Sequence, residues 1–412
     1  MQGLLHSFQD CLDQRKLKGR HRTLQIPPKE SIDLSSNDFL SLSTSDHLRQ
    51  RFIANVKHAS DNYPLASGGS RLLDGNSVYA EELETFIASF HDAPSGLLFN
   101  SGYDANMAIF SCIPQKGDLI IYDELVHASA HEGMRLSRST EKVSFRHNSA
   151  INFRDTLENA IQKDPLLRTG SRNVFVAVES LYSMDGDFAP IKDILNIMED
   201  LLPRQNGYMI VDEAHSTGVF GPRGAGIVQE LGVQDRVFLR MHTFGKALGS
   251  HGAIVLCSQL TRDYMINYSR SLIYTTAMPL PSLVSIRTAY ELMDQGETIS
   301  SQSQLQSRIS HVQTLFAAAK STHANPSLLR VRHHPRSPIF SLQTPFALEL
   351  AGFVQQEGMT VRAIRPPTVP KGTDRVRVCL HAKNTEAELE RLVKVVEGWL
   401  RVQVQREEGC KL

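Results

Sequence analysis

The sequence predicts an α/β fold, with a large domain on a mostly parallel sheet and a smaller C-terminal α/β domain. Two observations predict it. Short apolar runs of strand length alternate with helix-like segments through the middle of the chain, and several end in small or acidic residues. The Pro-containing run Met278-Pro279-Leu280-Pro281 then interrupts the pattern, and a second α/β pattern begins beyond it. At 412 residues the chain can bury a full core and divides into two domains.

Taken in order, residues 1–45 form an N-terminal arm ending in Ser35-Ser36-Asn37-Asp38-Phe39-Leu40. Residues 46–285 make the large domain. Within it, residues 77–90 read as an amphipathic helix, because Leu83, Phe86, Ile87 and Phe90 share one stripe. Residues 96–99 form a short apolar strand that turns at Asn100-Ser101-Gly102-Tyr103 into another helix. Residues 118–122, 174–178, 208–211 and 253–256 are strand-like, and residues 191–202 lie between two of them as a helix. Residues 286–412 make the small domain. It is entered by a long polar helical stretch over 282–320, with alternating strands at 338–342 and 375–380 and a closing helix at 386–403.

Composition excludes several classes. Lys plus Arg equals Asp plus Glu at 44 each, so no global field recruits nucleic acid or an anionic membrane. No apolar run approaches the roughly 18 residues of a spanning helix. The N-terminus lacks the apolar core of a secretory signal. The five cysteines show no Cys-x-x-Cys spacing, which argues against a disulfide framework or structural zinc and for a reducing compartment. Cys410-Lys411-Leu412 is a conservative variant of the Ser-Lys-Leu address. It predicts recognition by a peroxisomal import receptor; the alternative location is the cytoplasm.

The chemistry is most legible at Thr243-Phe244-Gly245-Lys246, a lysine between small residues ahead of the glycine-containing run Ala247-Leu248-Gly249-Ser250-His251-Gly252. Such a lysine, held in a cleft, suits Schiff-base formation, since burial and neighbours lower its pKa. Upstream, Asp212-Glu213-Ala214-His215 ends an apolar strand. An acid at a strand end, a histidine three residues on and a lysine beyond the next strand is the order expected of a pyridoxal-phosphate site. Ser101, Asp212 and Lys246 all fall where ligands collect in such sheets, beyond the C-terminal strand ends. Ser101-Gly102-Tyr103 opens a helix, so its N–H groups can bind phosphate. His127 can stack on a pyridine ring from a loop, and Arg365, in a proline-stiffened loop, can hold a carboxylate.

Other chemistries fit less well. His127 and His131 stand four apart, but Ala128 occupies the place where a zinc His-Glu-x-x-His motif has glutamate. Ser183, His215 and Asp212 could compose a hydrolytic triad, yet the chain has no Gly-x-Ser-x-Gly elbow.

The chain resembles the α-oxoamine synthases, fold type I pyridoxal-phosphate enzymes of aspartate-aminotransferase-like architecture. The resemblance runs in order over about residues 31–380. It rests on residues 35–40, Ser67-Gly68-Gly69-Ser70-Arg71-Leu72-Leu73-Asp74-Gly75-Asn76, Asn100-Ser101-Gly102-Tyr103 and Ser183-Met184-Asp185-Gly186. It continues through residues 212–218, Thr243-Phe244-Gly245-Lys246, Ile273-Tyr274-Thr275-Thr276 and Ile364-Arg365-Pro366-Pro367-Thr368-Val369-Pro370.

The resemblance implies an acyltransferase that condenses an amino acid with an acyl-CoA thioester and releases CO2. It makes Lys246 the Schiff-base lysine and proton-transfer base, and pairs Asp212 with the pyridine nitrogen. His127 stacks on the ring, while Ser183 and His215 bond near its ring oxygen. Ser101, Gly102, Tyr103 and Thr243 hold the phosphate. Thr275 or Thr276 reaches the phosphate of a second subunit, which implies a homodimer with shared sites. Asn37 and Arg365 face the substrate. Some relatives are non-catalytic partner subunits that lack the Schiff-base lysine, whereas Lys246, Asp212 and His127 are all present here. The stretch 363–370 is most similar to the branch that joins alanine to a pimeloyl thioester in biotin synthesis. The alternative is a stand-alone synthase using another amino acid with a different acyl-CoA or a carrier-bound polyketide chain.

Overall fold

A computed structural model describes residues 2–319 and 326–409; Cys410-Lys411-Leu412 lies outside the described residues. A two-residue strand, β1 (Ile32–Asp33), leaves the arm. The large sheet follows: β2 (Ser95–Phe99), β3 (Leu119–Asp123), β4 (Glu141–Phe145), β5 (Val174–Glu179), β6 (Gly207–Asp212), β7 (Leu239–Thr243) and β8 (Ala253–Cys257). Its order is β2-β8-β7-β6-β5-β3-β4. Neighbours from β4 to β7 are parallel, and only β8 runs against the rest. The C-terminal ends of β2, β3, β5, β6 and β7 therefore share one edge.

The strands form because they are buried on both faces, the condition under which a parallel sheet reads as a continuous apolar run. Val174, Val176 and Val211 are fully buried, for example. Helices cover both faces. The helix Val78–Phe90 is started by Ser77, whose side chain accepts the Ala80 N–H. It buries Leu83 and Ile87 completely, each contributing about 1.5–3 kcal/mol of apolar burial.

The stretch predicted as one long polar helical run is two helices, Leu280–Asp294 and Ile299–Ala318. Gly296 stands between them at φ 76°, the left-handed conformation that ends helices. The first of the pair is not polar in its setting. Val284, Ile286, Ala289, Tyr290 and Met293 are fully buried in the cluster that also holds Leu83 and Ile87. Residue 285, the expected domain boundary, falls inside this helix, and Lys320 lies outside the described residues.

Beyond it, β9 (Arg330–His333), β10 (Ile339–Gln343), β12 (Arg362–Ile364) and β13 (Arg375–Cys379) form an antiparallel sheet, order β12-β13-β10-β9. The strand β11 (Met359–Thr360) pairs with β1 in parallel as a separate two-stranded sheet, tying the arm to the segment that leads into β12. The Leu34 carbonyl accepts the Cys379 N–H and the Phe39 carbonyl accepts the Ala382 N–H. Leu34 and Phe39 are fully buried. The arm is thus threaded along β13, which carries it to the site.

Candidate active site

The site lies along the C-terminal edge of the large sheet. Asp212 is the last residue of β6 and pairs in register with Glu179 on β5 and Met241 on β7. Its Oδ1 accepts the Ala214 N–H at 2.9 Å, and its Oδ2 accepts from Asn106 Nδ2 at 2.8 Å. Two donors therefore fix the carboxylate's orientation. Asn106 is buried one helical turn beyond Gly102, and its Nδ2 also donates to Ser129 Oγ at 3.0 Å. His127 caps the helix Ala128–Arg135, with Nδ1 accepting the Ser129 N–H at 3.2 Å. The cap leaves its ring facing the cleft, edge-to-face with Tyr103 at 6.5 Å.

Lys246 follows β7 in a tight loop. Gly249 N–H donates to the Lys246 carbonyl, and Phe244 N–H to Gly252 O, both at 2.9 Å. Gly249 adopts φ 59°, and a Cβ there would lie 2.7 Å from the Ser43 backbone nitrogen, so the turn requires glycine. Burial pushes the Lys246 amine below the ordinary lysine range. Asp212 pulls it back up, as Glu179 does when ionised, while Arg377 presses it further down. The same edge lowers His215 well below the usual imidazole value, through burial first and then the charges of Lys246 and Arg377. His215 is buried, and its Nδ1 has no hydrogen-bond partner among the described residues. An orphaned buried group of this kind costs about 1–3 kcal/mol, which a ligand oxygen offsets.

At the β2 end, Ser101 caps the helix Gly102–Cys112 by accepting the Asp104 N–H at 3.1 Å. The first N–H groups of a helix have no partner within it, so those of Gly102 and Tyr103 form a ready anion cradle. Thr243 lies beside Gly102, and its Oγ1 donates to Gly252 O at 3.1 Å. Thr275 and Thr276 are joined within this chain to Asn100, whose Nδ2 donates to Thr275 Oγ1 at 3.3 Å and Thr276 O at 2.9 Å. Ser183, on the turn after β5, has its carbonyl bonded by Arg377 at 3.2 Å.

The structure gathers Asp212, His127, His215 and Lys246 by their mutual electrostatics, and Asn37 joins them through Arg377, which donates to Asn37 Oδ1 at 3.2 Å. Arg365 is otherwise engaged: its Nε donates to Asp374 at 3.3 Å and its Nη1 to Gly19 O at 3.0 Å.

Three residues of this edge carried signals that sequence reasoning passed over. Arg377 shares a strand face with Arg375 in an otherwise apolar β13, and both reach the turn holding Ser183 and Asp185. Glu179 ends a wholly apolar strand as Asp212 does. Asn106 lies one turn into a helix, on the side of Gly102.

A model of the aminotransferase class I and II family matches residues 29–396. The chain belongs to this family. It is 58% identical over 398 residues to an 8-amino-7-oxononanoate synthase of Emericella nidulans, covering 97% of this chain and 96% of the relative. It is 40% identical to an aminoacyl transferase sphA of Aspergillus fumigatus, covering 92% and 83%. A solved serine palmitoyltransferase from S. paucimobilis shares the fold at TM-score 0.81 and 23% identity, covering 97% of each chain. Within the family the chain falls among the α-oxoamine synthases, and its cofactor is pyridoxal phosphate. The residues fit that group: a buried lysine, an oriented carboxylate, an orphaned imidazole nitrogen and a helix N-terminus stand along one edge.

Proposed function

We propose that this chain joins L-alanine to pimeloyl-CoA, releasing CO2 and CoA and forming 8-amino-7-oxononanoate, a step of biotin synthesis. The observation that carries this reading is the 58% identity along nearly the whole chain with a synthase of that name.

Pyridoxal phosphate, when bound, supplies an electron sink that stabilises negative charge at the α-carbon of the amino acid. The rest falls to this chain's residues. Lys246 would hold the cofactor through its aldehyde carbon, and its Nζ would be the base that takes the α-proton. Its pKa, lowered by burial, favours the free amine that can accept a proton. Asp212, oriented by Ala214 and Asn106, would pair with the pyridine nitrogen and keep it protonated. His127 would stack on the ring, and His215 with Ser183 would hydrogen-bond near its ring oxygen. Gly102 and Tyr103 N–H groups, with Ser101 and Thr243, hold the phosphate.

The α-carbon attacks the thioester carbonyl, the C–S bond breaks and CoA leaves. The carboxylate is then lost as CO2, and Lys246 returns the proton. Asn37 and Arg365 receive the substrate carboxylate, for which Arg365 must exchange its bonds to Asp374 and Gly19. Thr275 or Thr276 completes the phosphate site of a second copy in a homodimer.

The test crosses alanine, glycine and serine with pimeloyl-, acetyl-, succinyl- and long-chain acyl-CoA and follows thiol release by cofactor-loaded protein. Turnover confined to alanine with pimeloyl-CoA is the expected result. A second reading, favoured by the 40% identity to aminoacyl transferase sphA, replaces the donor with another acyl chain. Cofactor uptake without thiol release from any of these donors selects it.

A further inference from the structure

Glu179 is the carboxyl group at this edge that the proposed mechanism does not use. It ends β5 as Asp212 ends β6, and the two are partners in register. It is buried, its backbone N–H donates to Tyr182 Oη at 3.3 Å, and its carboxyl feels the nearby backbone N–H of His127. With Asp212, His127 and Asn106 it lines a cavity of about 10 Å³ on the inner side of the site, room for about one water. An acid in such a place has no structural need to be an acid, since leucine or valine would fill an apolar sheet edge at lower cost.

We propose that Glu179 is a positioning residue, a neutral carboxylic acid that anchors the His127 backbone and leaves Asp212 as the single carboxylate charge at that end of the site. This inference rests on the pyridoxal-phosphate reading of the site. Two carboxylates side by side in a buried setting do not both ionise. Asp212 has two donors fixing its oxygens. Burial and the neighbouring Asp212 charge push Glu179 well above the usual carboxylate range, against the pull of Lys246 and the His127 N–H. The neutral acid matters for two reasons. A second full negative charge at Glu179 would raise the Lys246 amine. It would also divide the interaction that Asp212 gives the pyridine nitrogen.

The discriminating variants are Glu179→Gln, which keeps shape and the acceptor for His127 but cannot ionise, and Glu179→Ala, which removes both. Each is loaded with pyridoxal phosphate, its visible absorption band is titrated with pH, its visible circular dichroism is recorded, and kcat and KM are measured. Glu179→Gln is expected to keep the band midpoint within about 0.3 pH unit of the wild type and kcat within about 3-fold. Glu179→Ala is expected to lower kcat by about 10-fold or more with KM little changed, and to alter the dichroism as His127 loses its anchor.

A midpoint displaced by about one unit or more in Glu179→Gln means that the residue is charged, and overturns the proposal. Unaltered dichroism and kcat in Glu179→Ala overturn it as well. If the alanine variant does not fold, the glutamine titration alone decides. A wild-type protein that develops no visible band on loading defeats the underlying cofactor reading instead.

Discussion

Arg377 and Asn37 stand 340 positions apart in the chain, yet the guanidinium donates to the amide oxygen at 3.2 Å. The same guanidinium bonds the carbonyls of Ser35 and Ser183, so one side chain on β13 joins the arm to the β5 turn. Its charge helps to hold the Lys246 amine down, after burial.

Replacing Arg377 with methionine therefore raises the Lys246 pKa. Modification of cofactor-free enzyme by an amine-directed reagent, followed by peptide mapping, reports the pH at which Lys246 becomes reactive. The midpoint moves to higher pH in the variant; a midpoint that stays or falls contradicts this electrostatic assignment.

Lys246→Ala removes the only amine that the proposal gives a covalent role. Thiol release falls by about 10³-fold or more, and the visible band of a protein-bound cofactor is lost. Turnover close to wild type in the purified variant would transfer the role to another residue.

Asn106→Leu takes away one of the two donors that orient Asp212. A buried carboxylate oxygen left without its partner costs about 1–3 kcal/mol, and kcat is expected to fall about 10-fold or more while the fold persists. Steady-state kinetics beside a far-ultraviolet dichroism melt separates the two effects.

Glu84 is a buried carboxylate ion-paired with both Arg71 and Arg262, and it accepts the Leu98 N–H at 2.7 Å. Glu84→Ala strands two guanidinium groups that are mostly out of water. The expected loss is about 3–5 kcal/mol of stability, read as a lowered denaturation midpoint. Charge-neutral Glu84→Gln recovers part of it through the Leu98 bond.

His147 bonds Asp123 at 2.9 Å and Asp187 at 2.8 Å. Burial lowers its pKa, but the two carboxylates outweigh burial and raise it to about 10. A raised folded-state pKa stabilises most below the unfolded value of about 6.5. The stability difference between wild type and His147→Ala is therefore full near pH 6, shrinks as pH rises, and is lost through about pH 10. Chemical denaturation at intervals across that window measures it; a difference that grows with pH refutes the pairing.

By itself the sequence determined the α/β class and five of the seven large-sheet strands between Ser95 and Cys257, missing β4 and β7, and it singled out Lys246, Asp212 and His127 as candidates. Those features are local. Buried parallel strands must be short apolar runs, and a chemical group at a strand's end is visible as the polar residue that stops the run. The tertiary structure decided what lies across from what. Glu179 became Asp212's neighbour only when β5 paired with β6. Arg377 came within electrostatic range of Lys246 only when β13 carried the arm to the sheet edge, and Gly296 divided a helical stretch whose first half the core then buried. Strand order and register are set by packing between distant segments. No run of neighbouring residues encodes them, and that is why the acid beside Asp212 and the arginine beside the lysine appeared only in the fold.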